Sequence, residues 1–285
     1  MDIGIHVSLW TREWTEPYLD YIDLASDLGF NSVEIPLMDP DTLPLDAIKE
    51  RLERTGLAVR CGTGLGPATD LSSDDSQIRA AGLQHLKKCI SAAAEIGSPS
   101  LQGVIHSAWG KRSRTTAISR KQSAALLREA ADFASDSGLT IALECINRYE
   151  SSFLNTAEQG MAMLDVIDRR NVGLHLDTYH MNIEEASFRE AFKLTSGRLF
   201  HLHLSENNRG YPGSGLLDWD LIIEQAINNG YNGPWIIESY VVPDCPEGDD
   251  VCIWRQIEPD TMKSLGNSLE FLQKLIRNKG TKKDE

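Results

Sequence analysis

The chain has 285 residues, of which 41% are hydrophobic and 25% are charged, values that are ordinary for a globular protein with a substantial core. Its formal net charge of −14 argues against a nucleic-acid partner, because nucleic-acid binding depends on lysine and arginine that neutralise phosphates. No apolar run approaches the roughly 20 residues that cross a bilayer, so no membrane association is expected.

The first residues and the cysteines indicate a cellular compartment. The segment MDIGIHVSLW lacks a basic leader and is typical of a first strand rather than of a signal peptide. The five cysteines are scattered along the chain without C-x-x-C spacing. We therefore expect a reduced, cytoplasmic protein that has no cysteine-based zinc site.

Apolar segments with the length of strands recur along the chain, separated by amphipathic stretches such as PYLDYIDLASDL and SAALLREAADFASDS. The predicted strands cover residues 3–9, 32–36, 57–63, 99–105, 139–144, 172–177, 199–204 and 234–239. Glycine closes most of the intervening stretches, as expected where a helix ends in a left-handed turn. These glycines are Gly29, Gly56, Gly97, Gly138 and Gly230.

Eight strands that alternate with helices predict a closed (β/α)8 barrel, the TIM-barrel architecture, as one domain over residues 1–285. We expect a flexible tail from about residue 279. The alternative is an open doubly wound sheet, which usually has fewer units and a glycine-rich phosphate turn. The glycine-rich segment GTGLGP at 62–67 leads into a loop rather than a helix, so phosphate binding is not expected there.

Ionisable side chains stand at the C-terminal ends of four consecutive predicted strands, and these are Glu144, Asp177, His203 and Glu238. Each spacing is about one strand–helix unit, so we expect equivalent positions around the barrel mouth, where the active sites of such barrels lie. A single glutamate or histidine at a strand end is more often a cap or a packed core residue. Three carboxylates and one imidazole together form an oxygen-rich ligand set that suits Mn²⁺, Mg²⁺ or Co²⁺.

Further polar residues lie near these strand ends. Because side chains alternate along a strand, His175 should share the inward face of Asp177, and His201 that of His203. After strand 6, Glu184 and Glu185 are expected to open a helix as favourable charges in its first turn.

Several segments form a pattern that extends over nearly the whole chain: HVSLWTREW, LGFNSVEI, LECINRYE, LDTYHMNIEE, HLHLSENNRG, DWDLIIEQAINNGYNGPWIIES and IWR. On these segments the chain resembles the ketose 3-epimerases, the tagatose, allulose and ribulose 3-epimerases within the xylose-isomerase-like sugar isomerase and epimerase barrels. The most specific part is LDTYHMNIEE with the downstream motif H-x-H-x-x-E-x-x-R.

The resemblance implies one divalent ion, usually Mn²⁺, held by Glu144, Asp177, His203 and Glu238, with the two glutamates also catalytic. It also implies residues that contact a small sugar substrate. Glu150, His180 and Arg209 match positions that hold the O1–O3 end of the sugar, and Trp14 and Trp109 match aromatic residues that line the pocket.

The chain departs from the family pattern in the wall that faces the far end of the sugar. His6 and Gly62 stand where well-known members carry an aromatic residue and a cysteine, and Ser239 stands where proline commonly follows the last glutamate. We expect Gly62 to open space and His6 to supply a hydrogen-bonding edge, so that the pocket accepts several ketoses. His6 as a packed residue at the bottom of the barrel is the alternative.

The predicted reaction is epimerisation of a free ketose at C3. Coordination of O2 and O3 by the metal would stabilise a cis-enediolate, and two opposed glutamates would remove and return the proton. The alternatives are an aldose–ketose isomerase or an inosose-type dehydratase on the same barrel, a nuclease of the abasic-site type, and a non-catalytic sugar-binding barrel. We also expect a homodimer or a homotetramer.

Overall fold

The computed structural model describes residues 2–11, 13, 17–243 and 246–281. Eight parallel strands hydrogen-bond side by side in chain order, and the eighth pairs back onto the first, which closes the barrel. The predicted fold is therefore confirmed. The strands are β1 (Ile3–His6), β2 (Ser32–Pro36), β3 (Ala58–Gly62), β4 (Ser100–Gly103), β5 (Thr140–Glu144), β6 (Val172–Asp177), β7 (Leu199–Leu204) and β8 (Trp235–Ile237).

Helices surround the barrel, and short 3₁₀ turns at Val7–Leu9 and Pro67–Thr69 lie in the loops that follow strands β1 and β3. The helices are α1 (Leu19–Asp27), α2 (Leu45–Thr55), α3 (Ser76–Glu95), α4 (Ala117–Asp136), α5 (Ala157–Ile167), α6 (Thr178–Glu184), α7 (Phe188–Leu194), α8 (Trp219–Asn228), α9 (Pro246–Asp250) and α10 (Thr261–Thr281). No helix in the described ranges is both long enough and apolar enough to cross a membrane.

Local sequence signals set most helix boundaries. The side chains of Asp75, Thr116 and Thr156 accept backbone N–H groups at the starts of α3, α4 and α5, which satisfies donors that have no partner within the helix. The five glycines predicted to close helices all have positive φ, between 71° and 88°. Glycine tolerates this left-handed conformation because it has no Cβ atom.

The packed core lies between the strands and the helices. In α2, Ile48 and Leu52 stand four residues apart on the buried side, and in α5 Met163 and Ile167 do the same. The inside of the barrel differs, because polar side chains fill its upper part. This arrangement leaves the carboxyl ends of the strands free to carry a polar site.

The expected start of the helix after β6 is wrong. Helix α6 begins at Thr178, because the Asp177 carboxylate accepts the backbone N–H of Tyr179 at 2.6 Å and acts as the N-cap. Glu184 therefore ends the helix and binds Arg148 through Oε1, at 2.7 Å from its backbone nitrogen and 2.9 Å from its Nε. Glu185 accepts the backbone N–H of Ala157 at 2.6 Å.

Of the flexible tail expected from about residue 279, the structure describes residues 279–281, and these are helical. Helix α10 continues to Thr281, and the Lys279 ammonium donates to Glu224 Oε2 at 2.8 Å. Residues 282–285 lie outside the described residues.

Gly82 allows α3 to pack on the loop that follows β3. A Cβ atom at this position would lie 2.1 Å from the backbone oxygen of Thr69 and 2.8 Å from Leu71 Cδ2. We expect Gly82→Ala to lower the free energy of unfolding by about 1–3 kcal/mol, because the backbone must shift. Urea unfolding measures this change.

Gly266 in α10 is the matched control. A Cβ atom there meets no neighbouring side chain or loop within 4 Å, so Gly266→Ala should stabilise the chain by up to about 1 kcal/mol through helix propensity. Equal stability changes in the two variants would show that the Gly82 contact is not the constraint.

Candidate active site

A cavity of about 270 Å³ opens at the carboxyl ends of the strands. Its lining includes residues from strands β1, β2, β3, β5, β6 and β7 and from the loops that follow them. Among the predicted site residues, it is lined by His6, Gly62, Trp109, Glu144, Glu150, His180, His203, Arg209 and Glu238. Trp14 lies outside the described residues.

The four predicted ligands converge beside this cavity. Glu144, Asp177, His203 and Glu238 each offer one ligand atom, and these atoms all lie within 4.8 Å of one another. All four side chains are buried. The arrangement can hold a divalent ion through three carboxylates and one imidazole.

The sequence spacing predicted equivalent positions for the four ligands on their strands. In the structure, these positions are staggered instead. Glu144 pairs in register with His175, so Asp177 stands two residues further along β6. His203 pairs with Asp177 and with Ile236, so Glu238 again stands two residues further. A closed barrel requires such a stagger between strands. A shift of two residues keeps the side chain on the same face, so all four still reach the mouth.

The buried carboxylates have shifted proton affinities. Burial raises the pKa of Glu144 well above its usual value, and the charge of Glu238 adds to this effect. Burial also raises the pKa of Asp177 to about 7, against the charge of Arg209. For Glu238, burial acts in the same direction, but the charges of His203 and Arg209 outweigh it and hold the pKa well below its usual value. Three carboxylates at this distance need compensating positive charge, which a divalent ion supplies.

Glu34 on β2 is a central residue of the site that the sequence reasoning did not single out. Its Oε2 accepts hydrogen bonds from Nε2 of His201 at 2.7 Å and from Nε2 of His203 at 3.0 Å. The Nδ1 atom of His203 then faces Glu238 Oε1, at 3.1 Å. A carboxylate that fixes the far nitrogen of a metal-binding histidine is a common arrangement in metal sites.

Arg209 connects the ligand set to His180 at the mouth of the cavity. Its Nη1 donates to Asp177 Oδ2 and to Glu238 Oε2, both at 2.9 Å. Its Nη2 lies 3.1 Å from Nε2 of His180, and its guanidinium carbon lies 4.1 Å from the centre of the Tyr179 ring. The residue adopts a left-handed backbone conformation with φ of 65°.

Asn147 is a second residue that the sequence reasoning missed. Its Nδ2 donates to Glu150 Oε1 at 2.7 Å and to Nδ1 of His180 at 2.8 Å. Trp109 Nε1 donates to the other oxygen of Glu150 at 3.2 Å. Glu150, His180 and Trp109, which were predicted to contact the sugar, are therefore held in one hydrogen-bonded group at the mouth.

Gly62 does not open free space, contrary to expectation. A Cβ atom on Gly62 would lie 2.9 Å from Glu34 Oε1 and 3.6 Å from Nε2 of His6, so the Glu34 carboxylate occupies this volume. His6 is buried, lines the cavity, and hydrogen-bonds through Nδ1 to the hydroxyl of Ser8. Gly62 thus allows Glu34 to approach the histidines.

Comparisons with known proteins agree with this geometry. A family model described as xylose isomerase-like TIM barrel matches residues 22–275. The chain is 38% identical to a ketose 3-epimerase of Arthrobacter globiformis, over 96% of each chain. It is 32% identical to a D-psicose 3-epimerase of Agrobacterium fabrum, over 90% of this chain and 91% of the relative.

Solved structures of 3-epimerases also superpose closely on this chain. The crystal structure of D-allulose 3-epimerase from Methylomonas sp. in complex with D-allulose superposes with a TM-score of 0.92, at 34% identity and 96% coverage of both chains. A structure of L-ribulose 3-epimerase gives a TM-score of 0.94 at 30% identity, over 100% of this chain and 97% of the other.

Fold and site together define a barrel enzyme with a buried ligand set for a metal at its mouth. The chain belongs to the xylose isomerase-like TIM barrel family and, within it, to the ketose 3-epimerases, which are isomerases.

We expect Glu34→Gln to weaken Mn²⁺ binding by about 10- to 100-fold, because His203 loses the carboxylate that orients it. Titration of the metal-free variant, followed by the electron paramagnetic resonance of free Mn²⁺, measures this affinity.

Glu206→Gln is the matched control for Glu34→Gln. Glu206 is equally buried but accepts hydrogen bonds from the loop at Gly213 and from Trp219 Nε1, away from the ligand set. It should lose stability and keep its affinity for Mn²⁺. Unchanged Mn²⁺ affinity in the Glu34 variant would show that Glu34 does not support the site.

Proposed function

We propose that the protein catalyses the metal-dependent epimerisation of a free ketose at C3. The observation that carries this proposal is the pair Glu144 and Glu238, two buried glutamates at the end of β5 and directly after β8, which belong to one ligand cluster. The full-length similarity to ketose 3-epimerases supports the reaction type.

The donor set fits a divalent ion. Three buried carboxylates lie together, and Nδ1 of His203 is directed at them, 3.1 Å from Glu238 Oε1 and 4.0 Å from Asp177 Oδ2. Mn²⁺ is the proposed ion, with Co²⁺ or Mg²⁺ as alternatives, because oxygen ligands predominate. When bound, such an ion would polarise the oxygens of the ketose and stabilise the negative charge that develops during deprotonation.

The two glutamates supply the proton transfers. One carboxylate removes the proton from C3 on one face of the sugar, and the other carboxylic acid gives a proton to C3 on the opposite face. The configuration at C3 is thereby inverted, and the two glutamates have exchanged protonation states. A single base that moved a proton between C1 and C2 would instead interconvert an aldose and a ketose, which is the alternative reaction.

The polar group at the mouth would hold the reacting end of the sugar. We assign Glu150, His180 and Arg209 to the O1–O3 end, since their side chains face the cavity beside the ligand set. Trp109 would cover the C–H groups of the sugar, and His6 would face its far end. Trp14 is proposed for the same wall from the family resemblance alone.

The reaction is tested with ketopentoses and ketohexoses in deuterated water. We expect deuterium at C3 of both epimers, activity that is lost after chelation, and activity that returns with Mn²⁺. Nuclear magnetic resonance locates the labelled carbon. Label at C1 or C2 without label at C3 would establish the aldose–ketose isomerase and overturn the proposal.

In the same assay, Glu144→Gln and Glu238→Gln should each lower kcat by at least about 1,000-fold, because each variant loses a base together with a metal ligand. Glu184→Gln is the control, since this glutamate pairs with Arg148 outside the ligand set. Full turnover in either of the first two variants would contradict the assignment.

His6→Phe should change the preference among ketoses. The substitution removes a ring nitrogen from the cavity wall, so kcat/KM ratios across a panel of ketopentoses and ketohexoses should shift by about tenfold, as expected when one hydrogen bond is lost. His85→Phe is the control, because His85 contacts Thr63 and Cys89 and does not line this cavity. Identical ratios in the wild type and the His6 variant would assign His6 to packing.

The proposal also includes the cellular compartment and the oligomeric state of the protein. We propose a cytoplasmic homodimer or homotetramer. Cys61, Cys89 and Cys145 are buried free thiols, which supports a reducing compartment, and Leu216 and Trp254 are large apolar residues with 86% and 84% exposure that a partner copy would cover.

A further inference from the structure

A second cluster of possible metal ligands lies next to the carboxylate set, inside the barrel. His175 on β6 and His201 and His203 on β7 each offer a ring nitrogen, and these atoms lie within 4.8 Å of one another. The ring centre of His175 lies 4.7 Å from that of His201 and 4.0 Å from that of His203. All three side chains are buried.

His175 has no role in the reaction proposed above and no hydrogen-bond partner among the described residues. Its side chain is fully buried, and neither ring nitrogen is hydrogen-bonded to any other residue that the structure describes. A carboxylate oxygen, Oε2 of Glu144, lies 3.8 Å from Nδ1, beyond hydrogen-bond distance. A buried imidazole is normally hydrogen-bonded, so these free nitrogens call for a ligand.

The cavity gives a ligand access to His175, and the Glu34 carboxylate provides a negative charge for a cation. His175 and Glu34 both line the cavity at the carboxyl ends of the strands, so an ion that enters from the mouth reaches them. The Glu34 carboxylate lies within 3.0 Å of both His201 and His203 and supplies one negative charge.

We propose that His175, His201, His203 and Glu34 form a second metal site, selective for Zn²⁺ or another late first-row ion. Three imidazoles and one carboxylate are the donors that such ions prefer, whereas the neighbouring set of three carboxylates favours Mn²⁺ or Mg²⁺. The site shares His203 with the carboxylate set, and it uses Glu34 on β2 where the carboxylate set uses Glu144 on β5 and Glu238 after β8.

His203 belongs to both ligand sets. Its Nδ1 faces Glu238, and its Nε2 faces Glu34. One nitrogen is therefore directed to each site, and a ring that binds an ion through each nitrogen is an imidazolate, so the proton that Nε2 donates to Glu34 is released to solvent when the histidine site fills. Two divalent ions that share this ring repel each other, so occupancy of the histidine site weakens binding at the carboxylate site, and the reverse holds equally.

The test is the number of Zn²⁺ ions bound per chain, measured without sugar by calorimetric titration and by elemental analysis after dialysis. Wild-type protein freed of metal should bind two, and His175→Phe, which keeps a ring in the same space, should bind one. His85→Phe, a histidine outside both clusters, should bind two. One ion in the wild type, or two in the His175 variant, overturns the proposal.

If the His175 variant does not fold, crystals of the wild-type protein soaked in Zn²⁺ provide a second test. Anomalous scattering should give two peaks, one of them about 2.0–2.1 Å from a ring nitrogen of His175. A single peak among Glu144, Asp177 and Glu238 would refute the second site. Because no sugar is present, either outcome is independent of whether the protein epimerises ketoses.

Discussion

Several buried carboxylates lie close together at the mouth of this barrel, and their mutual repulsion is the constraint on which the site depends. Glu34, Glu144, Asp177 and Glu238 are all buried, and Arg209 is the buried arginine that bonds to two of them. Buried carboxylates repel each other strongly where water is excluded. The shifted pKa values of Glu144 and Asp177 follow from this crowding, because burial and neighbouring carboxylates raise both. A divalent ion relieves the same repulsion, so the electrostatic demand of the fold and the chemistry of the site coincide.

The backbone around Arg209 explains how one arginine reaches two ligands. Its left-handed conformation, which is unfavourable for a residue with a Cβ atom, is held by its N–H, which donates to the backbone oxygen of Glu206 at 3.0 Å. Its own carbonyl accepts the backbone N–H of Tyr240 at 2.9 Å, which connects the loops after β7 and β8. The strained residue therefore lies where two loops and two ligands meet.

The sequence predicted the features that have a periodic or local cause. Alternating apolar runs gave all eight strands, and glycines with positive φ marked the ends of five helices. Glu34 has no such signal, because its partners His201 and His203 lie on β7, three strands away around the closed barrel and more than 160 residues along the chain. The stagger between β5 and β6 and the capping of α6 by Asp177 also depend on pairing and on side-chain geometry, which composition and spacing do not contain.

Arg209 contacts both the proposed metal ligands and a residue proposed to hold the sugar, so it links metal binding to sugar binding. Its Nη1 bonds to the ligands Asp177 and Glu238, while its Nη2 lies beside His180, which is proposed to hold the sugar. When a sugar draws the guanidinium towards its own oxygens, the hydrogen bonds to the two carboxylates must weaken, and more negative charge is left to the ion. Substrate binding should then tighten metal binding, and by thermodynamic reciprocity the metal should tighten sugar binding to the same extent. If the proposed function holds, ion and sugar would therefore support each other through a single shared side chain.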